Sequence, residues 1–241
     1  MINRYAVIPA RYDSSRFPGK PLALLNGKAL IQHVFERVQN SQLFTDVIIA
    51  TDDLRISATA QDFGATVVLT DSNLPSGTDR VAAVAEMLEP DSIILNVQGD
   101  EPLISKEVLV CLLDVFDDPD VRMASLMTTI PEAQELRDPN IVKVVCDAKG
   151  NAMYFSRSPI PYDRDQEDQV EYFRHIGVYG FRHQTLMSFV RLGQSYYEKI
   201  EKLEQLRALE NGISIRMCKT DYQGIGIDTP QDLAKLSLQN I

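Results

Sequence analysis

The chain has 241 residues, 44% of them hydrophobic and 24% charged, enough for one large globular domain or a domain carrying a subdomain. Its 34 acidic residues against 24 basic ones leave a formal net charge of −10, which argues against nucleic acid as the main partner, since phosphate backbones attract strongly basic faces. Cys111, Cys146 and Cys218 are odd in number, far apart and without metal-ligand spacing. They read as reduced core thiols of a cytoplasmic protein. No basic-then-apolar leader opens the sequence and no apolar run approaches the ~18 residues of a spanning helix, so the expectation is a soluble chain with no membrane contact.

Tyr5 to Pro9 is an apolar, β-branched run, the signal of a buried strand. It breaks into a loop that carries Arg11, Arg16 and Lys20, stiffened by Pro9, Pro18 and Pro21, with Gly19 permitting close backbone approach. From Lys28 to Gln39, apolar residues Leu30, Ile31, Val34, Phe35 and Val38 recur at helical spacing. Val47–Ala50 is a short strand, Asp53–Phe63 a helix that Gly64 caps, and Thr66–Leu69 a third strand. Ser76-Gly77-Thr78-Asp79 opens another helix, and Ile93–Val97 is the clearest buried strand, running into Gln98-Gly99-Asp100-Glu101-Pro102. This β-α-β-α-β-α-β order predicts a three-layer α/β fold with a mostly parallel central sheet.

The second half alternates less cleanly. Met123–Thr129, Val142–Val145, Ile176–Phe181 and Ile213–Cys218 read as strands, and Tyr197–Leu209 as one long helix with Ile200, Leu203, Leu206 and Leu209 on a stripe. Residues 151–174, rich in Arg, Asp, Tyr and Pro, read as a substrate-side segment. Thr229 and Pro230 start the last helix as N-cap and first helical residue. No repeat, low-complexity tract or flexible linker divides the chain, which reads as a single domain over 1–241.

Two nucleotide signatures are absent. Gly27-Lys28 is followed by Ala29 and preceded five positions earlier by Leu22, so there is no Walker loop, and Gly224-Ile225-Gly226 lacks the third glycine of a dinucleotide fingerprint. What remains is the cluster of Arg11, Arg16 and Lys20. Three cations in ten residues suit a polyphosphate bound above a strand end, or simply a solvated basic loop. Asp100, just past a buried strand, fits a Mg²⁺ ligand beside phosphates, or a turn aspartate; Asp228 fits a second ligand, or a residue leading into the Thr229 cap. Arg157, Arg164 and Arg174 lie among Tyr154, Tyr162, Tyr172 and Tyr179, a mixture suited to an anionic sugar and equally to surface ion pairs with Asp163, Asp165, Glu167 and Asp168. His175 fits a ligand contact or a structural histidine, and Glu204 and Gln205 fit a solvated helix face as well as a site.

Taken together, Ile8-Pro9-Ala10-Arg11 through Arg16-Phe17-Pro18-Gly19-Lys20-Pro21-Leu22, Ser76-Gly77-Thr78-Asp79-Arg80, Asn96 to Pro102, Tyr154-Phe155-Ser156-Arg157, Arg174 to Tyr179, Leu203 to Arg207 and Asp228-Thr229-Pro230 resemble the 3-deoxy-manno-octulosonate (Kdo) cytidylyltransferases, or CMP-Kdo synthetases, over essentially the whole chain. The resemblance implies a nucleotidyltransferase (Rossmann-like) fold with a smaller dimerisation lobe within roughly 120–210, and transfer of CMP from CTP to the anomeric hydroxyl of Kdo with Mg²⁺ as cofactor. It implies nucleotide binding by Ala10, Arg11, Arg16, Lys20, Ser76 and Thr78, with Arg16, Lys20 and Asp100 catalytic and Asp100 and Asp228 on the metal. Gln98, Arg157, Arg164, His175, Tyr179, Glu204 and Gln205 would line the sugar pocket of a cytoplasmic homodimer that feeds lipopolysaccharide or capsule synthesis. The same reaction on 8-amino-3,8-dideoxy-manno-octulosonate or a nonulosonate, and an inactive sugar-nucleotide sensor, are the rival expectations.

Overall fold

The computed structural model describes residues 2–13, 17–165, 170–224 and 226–238. The chain forms two compact units, one of residues 1–110, 182–187 and 224–241, the other of residues 111–181 and 188–223.

In the first unit, β1 (Arg4–Ala10) has both faces covered, and Ala6, Val7 and Ile8 are fully buried. That is why its sequence reads as a continuous apolar run rather than an alternation. A hairpin of β2 (Leu24–Leu25) and β3 (Lys28–Ala29) follows, turned by Asn26 and Gly27, which both adopt positive φ. Asn-Gly favours this two-residue turn because neither residue resists the left-handed region strongly. The hairpin delays α1 (Leu30–Asn40), expected from Lys28, by two residues.

β4 (Asp46–Thr51), α2 (Leu54–Asp62), β5 (Thr66–Leu69), α3 (Gly77–Ala85) and β6 (Ile93–Asn96) complete the alternation. The four long strands lie side by side as β6-β1-β4-β5, every pair parallel, with Ile8 opposite Ile49 and Ala6 opposite Leu95. Helices α1, α2 and α3 pack on these strands, so the expected α/β fold with a mostly parallel sheet is observed. The three expected helices here are present with close to the expected ends, and Asp53 caps α2 by accepting from Arg55 N at 2.8 Å. The sequence reading passed over the next helix, α4 (Lys106–Asp114).

In the second unit, β7 (Met123–Thr129) pairs antiparallel with β10 (Phe173–Arg182) and parallel with β11 (Ile215–Lys219). Between them in sequence come the short α5 (Ala133–Arg137), then β8 (Lys143–Cys146) and β9 (Ala152–Ser156), an antiparallel hairpin whose first strand also pairs with β10. β9 lies within residues 151–174, whose composition suggests a substrate-side segment and gives no strand signal. After β10 the chain continues through α6 (His183–Phe189), and near the C-terminus α9 (Pro230–Ser237) returns to the first unit.

The single helix expected over Tyr197–Leu209 is instead α7 (Tyr196–Glu201) and α8 (Leu206–Glu210). Lys202 takes left-handed dihedrals, φ 55° and ψ 46°, and ends α7. Apolar spacing carries across the break because Leu203 and Leu206 are buried on either side of the turn, whereas Ile200 is exposed. An ion pair closes the break. Arg207 of α8 donates through Nη2 to Glu198 Oε1 at 2.6 Å and through Nε to Oε2 at 2.9 Å, with both residues buried. The charge-assisted fork replaces the backbone continuity that Lys202 removes.

The cysteines also depart from expectation. Cys111 on α4 and Cys218 on β11 are joined in a disulfide, with Cα atoms 6.3 Å apart across a sequence separation of 107. A pairing made by tertiary contact leaves no trace in cysteine spacing. Cys146 is the free thiol, pushed up to about 11 by burial, and therefore protonated at neutral pH.

Truncation of Arg207 to Ala leaves Glu198 buried without its counter-ion, a change worth about 3–5 kcal/mol in comparable settings. Urea unfolding of Arg207→Ala is expected to show a loss in that range, with Glu198→Gln/Arg207→Met losing less than Arg207→Ala alone.

Candidate active site

The first cluster gathers at the carboxyl ends of β1 and β6, where ligands bind in open α/β sheets. Beyond Ala10 the chain turns through Arg11 and Tyr12, and residues 14–16 lie outside the described residues, so the expected phosphate contact of Arg16 does too. Gly19 resumes the path at φ 70°, donating its N–H to Tyr12 O at 2.8 Å, and a Cβ there would meet the Tyr12 ring at 3.1 Å. Glycine answers both demands, positive φ and no side chain. It delivers Lys20 into one turn of 3₁₀ helix, Lys20–Leu22, which Pro21 stiffens.

Lys20 Nζ donates to Asp100 Oδ2 at 2.6 Å and lies 3.6 Å from Asp228 Oδ1. Residues 20, 100 and 228 thus meet at one point. Asp100 is positioned by Gly99, where a Cβ would sit 3.3 Å from the Pro9 carbonyl, so the loop after β6 rides tightly over the end of β1. Asp228 is positioned by its neighbours: Ile227 N donates to Asp100 O at 3.0 Å, and Thr229 and Asp232 form the capping box that starts α9. Asp228 is thus the residue before the cap, with its carboxylate facing Lys20.

In the same unit, Arg11 donates through Nη2 to the Leu74 carbonyl. Ser76 caps α3, accepting from Asp79 N at 3.1 Å and donating to Asp79 Oδ2 at 2.6 Å. Thr78, buried in the first turn of α3, accepts from Asn96 Nδ2 at 3.4 Å, and Gln98 Nε2 donates to Asn96 Oδ1 at 3.1 Å. Ala10 is buried, which leaves its backbone as the part able to meet a ligand. In the first unit, then, the structure brings Lys20, Asp100 and Asp228 together and links Thr78 to Gln98 through Asn96.

The second unit holds the other candidates. The register of β10 against β7 shifts between Ile176 and Tyr179, a bulge of the kind that re-aims side chains near sites. Around it the His175 and Tyr179 rings lie 5.4 Å apart, and Phe155 packs edge-on to His175 at 5.0 Å. His175 Nε2 is 2.8 Å from Ser125 Oγ. Burial pushes the His175 imidazole down to about 3, so it is neutral at physiological pH. Burial and then the nearby Glu204 carboxylate raise Tyr179 well above its ordinary value, which keeps it a phenol. Gln205 is buried at the start of α8.

Arg157 uses its guanidinium on main-chain carbonyls, donating from Nε to Glu201 O and from Nη1 to Pro139 O, each at 2.7 Å. Arg164 is exposed in an irregular stretch. The alternative partners Glu167 and Asp168 lie outside the described residues, and Arg174 approaches Glu135 at 4.0 Å rather than Asp163 or Asp165. Sequence reasoning missed Lys143, fully buried, whose ammonium donates to the carbonyls of Asp138, Ile141 and Arg157. It also missed Glu201, which accepts from Ser156 Oγ at 2.7 Å and Arg157 N at 3.0 Å. A lone lysine at a strand start gives no sequence signal of burial.

The cytidylyltransferase family model matches residues 5–215. The chain belongs to the cytidylyltransferase family. It is 48% identical to a 3-deoxy-manno-octulosonate cytidylyltransferase of Thermodesulfovibrio yellowstonii, covering 94% of each chain, and 48% identical to one of Solibacter usitatus, covering 96% of this chain and 92% of that one. It is also similar to the solved structure of CMP:2-keto-3-deoxy-manno-octonic acid synthetase complexed with CTP, with a TM-score of 0.93 and 43% identity over 98% of this chain and 97% of that one. A likeness to 4-diphosphocytidyl-2C-methyl-D-erythritol synthase from Anaerococcus prevotii, TM-score 0.63 at 15% identity, covers 98% of this chain and 97% of that one and concerns the fold.

For a cytidylyltransferase the Lys20, Asp100 and Asp228 cluster has the right chemistry. Two carboxylates converge on one cationic position, here taken by the Lys20 ammonium, and hard oxygen donors in that number suit Mg²⁺, which draws its remaining ligands from water and phosphate. Among the described residues no group of three His, Cys, Asp or Glu side chains could hold a metal without such help.

The His175 shift carries a pH prediction with a definite sign. The unfolded chain takes up a proton near the ordinary value of 6.5 while the folded one resists until about 3. Stability is therefore full above pH ~6.5 and is lost progressively as pH falls toward 3. Thermal unfolding from pH 7 to 4 should show a shallower decline for His175→Gln than for the unaltered chain; parallel curves would contradict the burial of a neutral imidazole.

Proposed function

We propose that this chain transfers CMP from CTP to the anomeric hydroxyl of Kdo, releasing pyrophosphate. The observation that carries the reading is the meeting of Lys20, Asp100 and Asp228 at the strand ends, in a chain about half identical to proteins named for this reaction. In the transfer, the anomeric hydroxyl gives up its proton to water and its oxygen forms a bond to the α-phosphorus as the bond to the β-phosphate bridging oxygen breaks, and the pyrophosphate leaves with that electron pair. Lys20 and Arg11 offset charge on the triphosphate, with Arg16 as a third cation of the same loop, and Ser76 and Thr78 stand in the nucleotide pocket. Work of this kind is mostly positioning and electrostatics. Asp100 and Asp228 would hold Mg²⁺, whose chemistry here is to neutralise phosphate oxygens and ease deprotonation of a hydroxyl.

Gln98, Arg157, Arg164, His175, Tyr179, Glu204 and Gln205 are assigned to the sugar. The neutral His175 and Tyr179 suit hydroxyl groups, and Arg157 and Arg164 suit the carboxylate of the keto-acid. Residues 120–210 would supply a dimerisation lobe, a reading supported by the exposed Tyr196, Tyr197 and Ile200 on α7. No helix among the described residues is long and apolar enough to cross a membrane, and the use of CTP supports a cytoplasmic place in supplying activated sugar to lipopolysaccharide or capsule.

The deciding experiment is pyrophosphate release with CTP and Mg²⁺ against Kdo, 8-amino-3,8-dideoxy-manno-octulosonate and a nonulosonate. Kdo is expected to give the highest kcat/KM, and Asp100→Asn to lose at least about 100-fold in kcat with the fold intact. A variant with near-normal turnover at saturating Mg²⁺ would remove Asp100 from the metal. On a sizing column with light scattering, the unaltered chain should run at twice the chain mass and Ile200→Glu/Tyr196→Glu should shift toward one; an unshifted mass for the altered chain would place the interface elsewhere.

A further inference from the structure

Of the Ser76-Gly77-Thr78-Asp79-Arg80 motif, the reaction uses Ser76 and Thr78 and leaves Arg80 without a task. Arg80 is fully buried. Its Nη2 donates to Asp52 Oδ2 at 2.9 Å and its Nη1 to Thr70 Oγ1, while Nε has no partner among the described residues. A cation held this far from water, and incompletely satisfied, is a poor device for stability alone, since apolar residues of similar volume serve as well or better.

Its surroundings give it a different use. Asp52 follows the end of β4 and Thr70 the end of β5, and Thr70 N donates to Thr51 O at 2.9 Å. From Thr70 the chain runs to Leu74, whose carbonyl receives the Arg11 guanidinium, and to Ser76, whose carbonyl accepts Arg80 N at 3.3 Å. The Arg80 side chain thus holds the connection 70–76 at its Thr70 end, while the main-chain ladder of α3 holds it at Ser76. A cleft of about 230 Å³ opens here, lined by Arg11, Tyr12, Asp13, Asp52, Asp53 and Ser72. Three of these are aspartates. Two of them are paired: Asp53 with Arg55 at 2.6 Å, whose guanidinium also stacks 3.3 Å over the Tyr12 ring, and Asp52 with Arg80. Arg11 lies near enough for its charge to oppose that of Arg80, and burial lowers Arg80 below its ordinary value.

We propose that Arg80 is a positioning residue of the nucleotide site: anchored on Asp52, its guanidinium fixes the Thr70 end of the connection whose Leu74 carbonyl sets the Arg11 guanidinium. The proposal rests on the assignment of Arg11 to the triphosphate. Its test is calorimetric titration of CTP into the full chain with Mg²⁺, for Arg80→Lys, Asp52→Asn and Arg11→Ala singly and for each of the first two combined with Arg11→Ala, alongside melting temperatures and separate KM values for CTP and Kdo.

Arg80→Lys and Asp52→Asn are each expected to weaken CTP binding by at least about tenfold, to leave the Kdo KM within about twofold, and to add less than about threefold once Arg11 is already Ala. Should Arg80→Lys fail to fold, Asp52→Asn, which keeps the side-chain shape, carries the test. Folded variants with unaltered CTP affinity, or equal effects on both substrates, or a full effect persisting in the Arg11→Ala background, would overturn the proposal. Unaltered CTP binding by Arg11→Ala alone would remove the assignment of Arg11, and the proposal with it.

Discussion

The ammonium of Lys20 between the carboxylates of Asp100 and Asp228 is the interaction on which the first unit's arrangement turns. Two carboxylates brought this close repel, and a cation must stand between them. Much of the local structure reads as a means to that end. Gly19 turns the basic loop back on Tyr12 so that Lys20 points over the sheet, Gly99 lets the acidic loop settle on Pro9, and the α9 capping box fixes the segment that carries Asp228. The parallel order β6-β1-β4-β5 supplies the remaining condition, because it makes the ends of β1 and β6 neighbours.

Elements that depend on local chemistry were legible in the sequence. β1, β4, β5 and β6 announce themselves as short apolar runs, and Thr229-Pro230 marks its helix start because cap and first-turn preferences are local. Elements whose shape depends on distant partners were not. The break at Lys202 is invisible to apolar spacing, because Leu203 and Leu206 stay on the buried side while the Arg207–Glu198 pair allows the backbone to turn. β9 hides in a polar, Tyr-rich stretch because a register shift opposite Val145 and Cys146 interrupts its alternation, leaving Met153 exposed and Phe155 buried two residues on. The Cys111–Cys218 bond spans most of the second unit and obeys no spacing rule.

For the candidate site the same division holds. Asp100 and Lys20 could be singled out because position after a strand and clustering of charge are both sequence properties. Asp228, 128 residues beyond Asp100, fitted a second ligand and the approach to the Thr229 cap alike, and the resemblance favoured the first. The buried ions, Arg80 with Asp52, Arg207 with Glu198, and Lys143 with three carbonyls, had no local signature at all. Hydrophobic periodicity assigns charged residues to the surface, and a charge is buried only where partners from elsewhere in the chain compensate it.

Those three ions share a physical logic that bears on how the proposed chemistry is tuned. Each ties irregular backbone to a regular element: Arg80 the ends of β4 and β5, Lys143 the turns around Asp138, Ile141 and Arg157, and Arg207 the α7–α8 junction next to Glu204 and Gln205. Apolar packing cannot fix such segments, because their carbonyls and carboxylates need donors wherever water is excluded. Cationic side chains with several donors satisfy many acceptors at once. In the second unit His175 and Tyr179 carry no formal charge, so in the proposed reaction they would discriminate by hydrogen-bond geometry and leave a carboxylate to the arginines. Arg157 already serves the carbonyls of Glu201, Pro139 and Lys202 through Nε, Nη1 and Nη2, the last at 3.4 Å, so the protein sets its guanidinium plane before any carboxylate arrives. A rigid fork loses little freedom on binding, and that preorganisation favours a planar carboxylate over a hydroxyl in the same place.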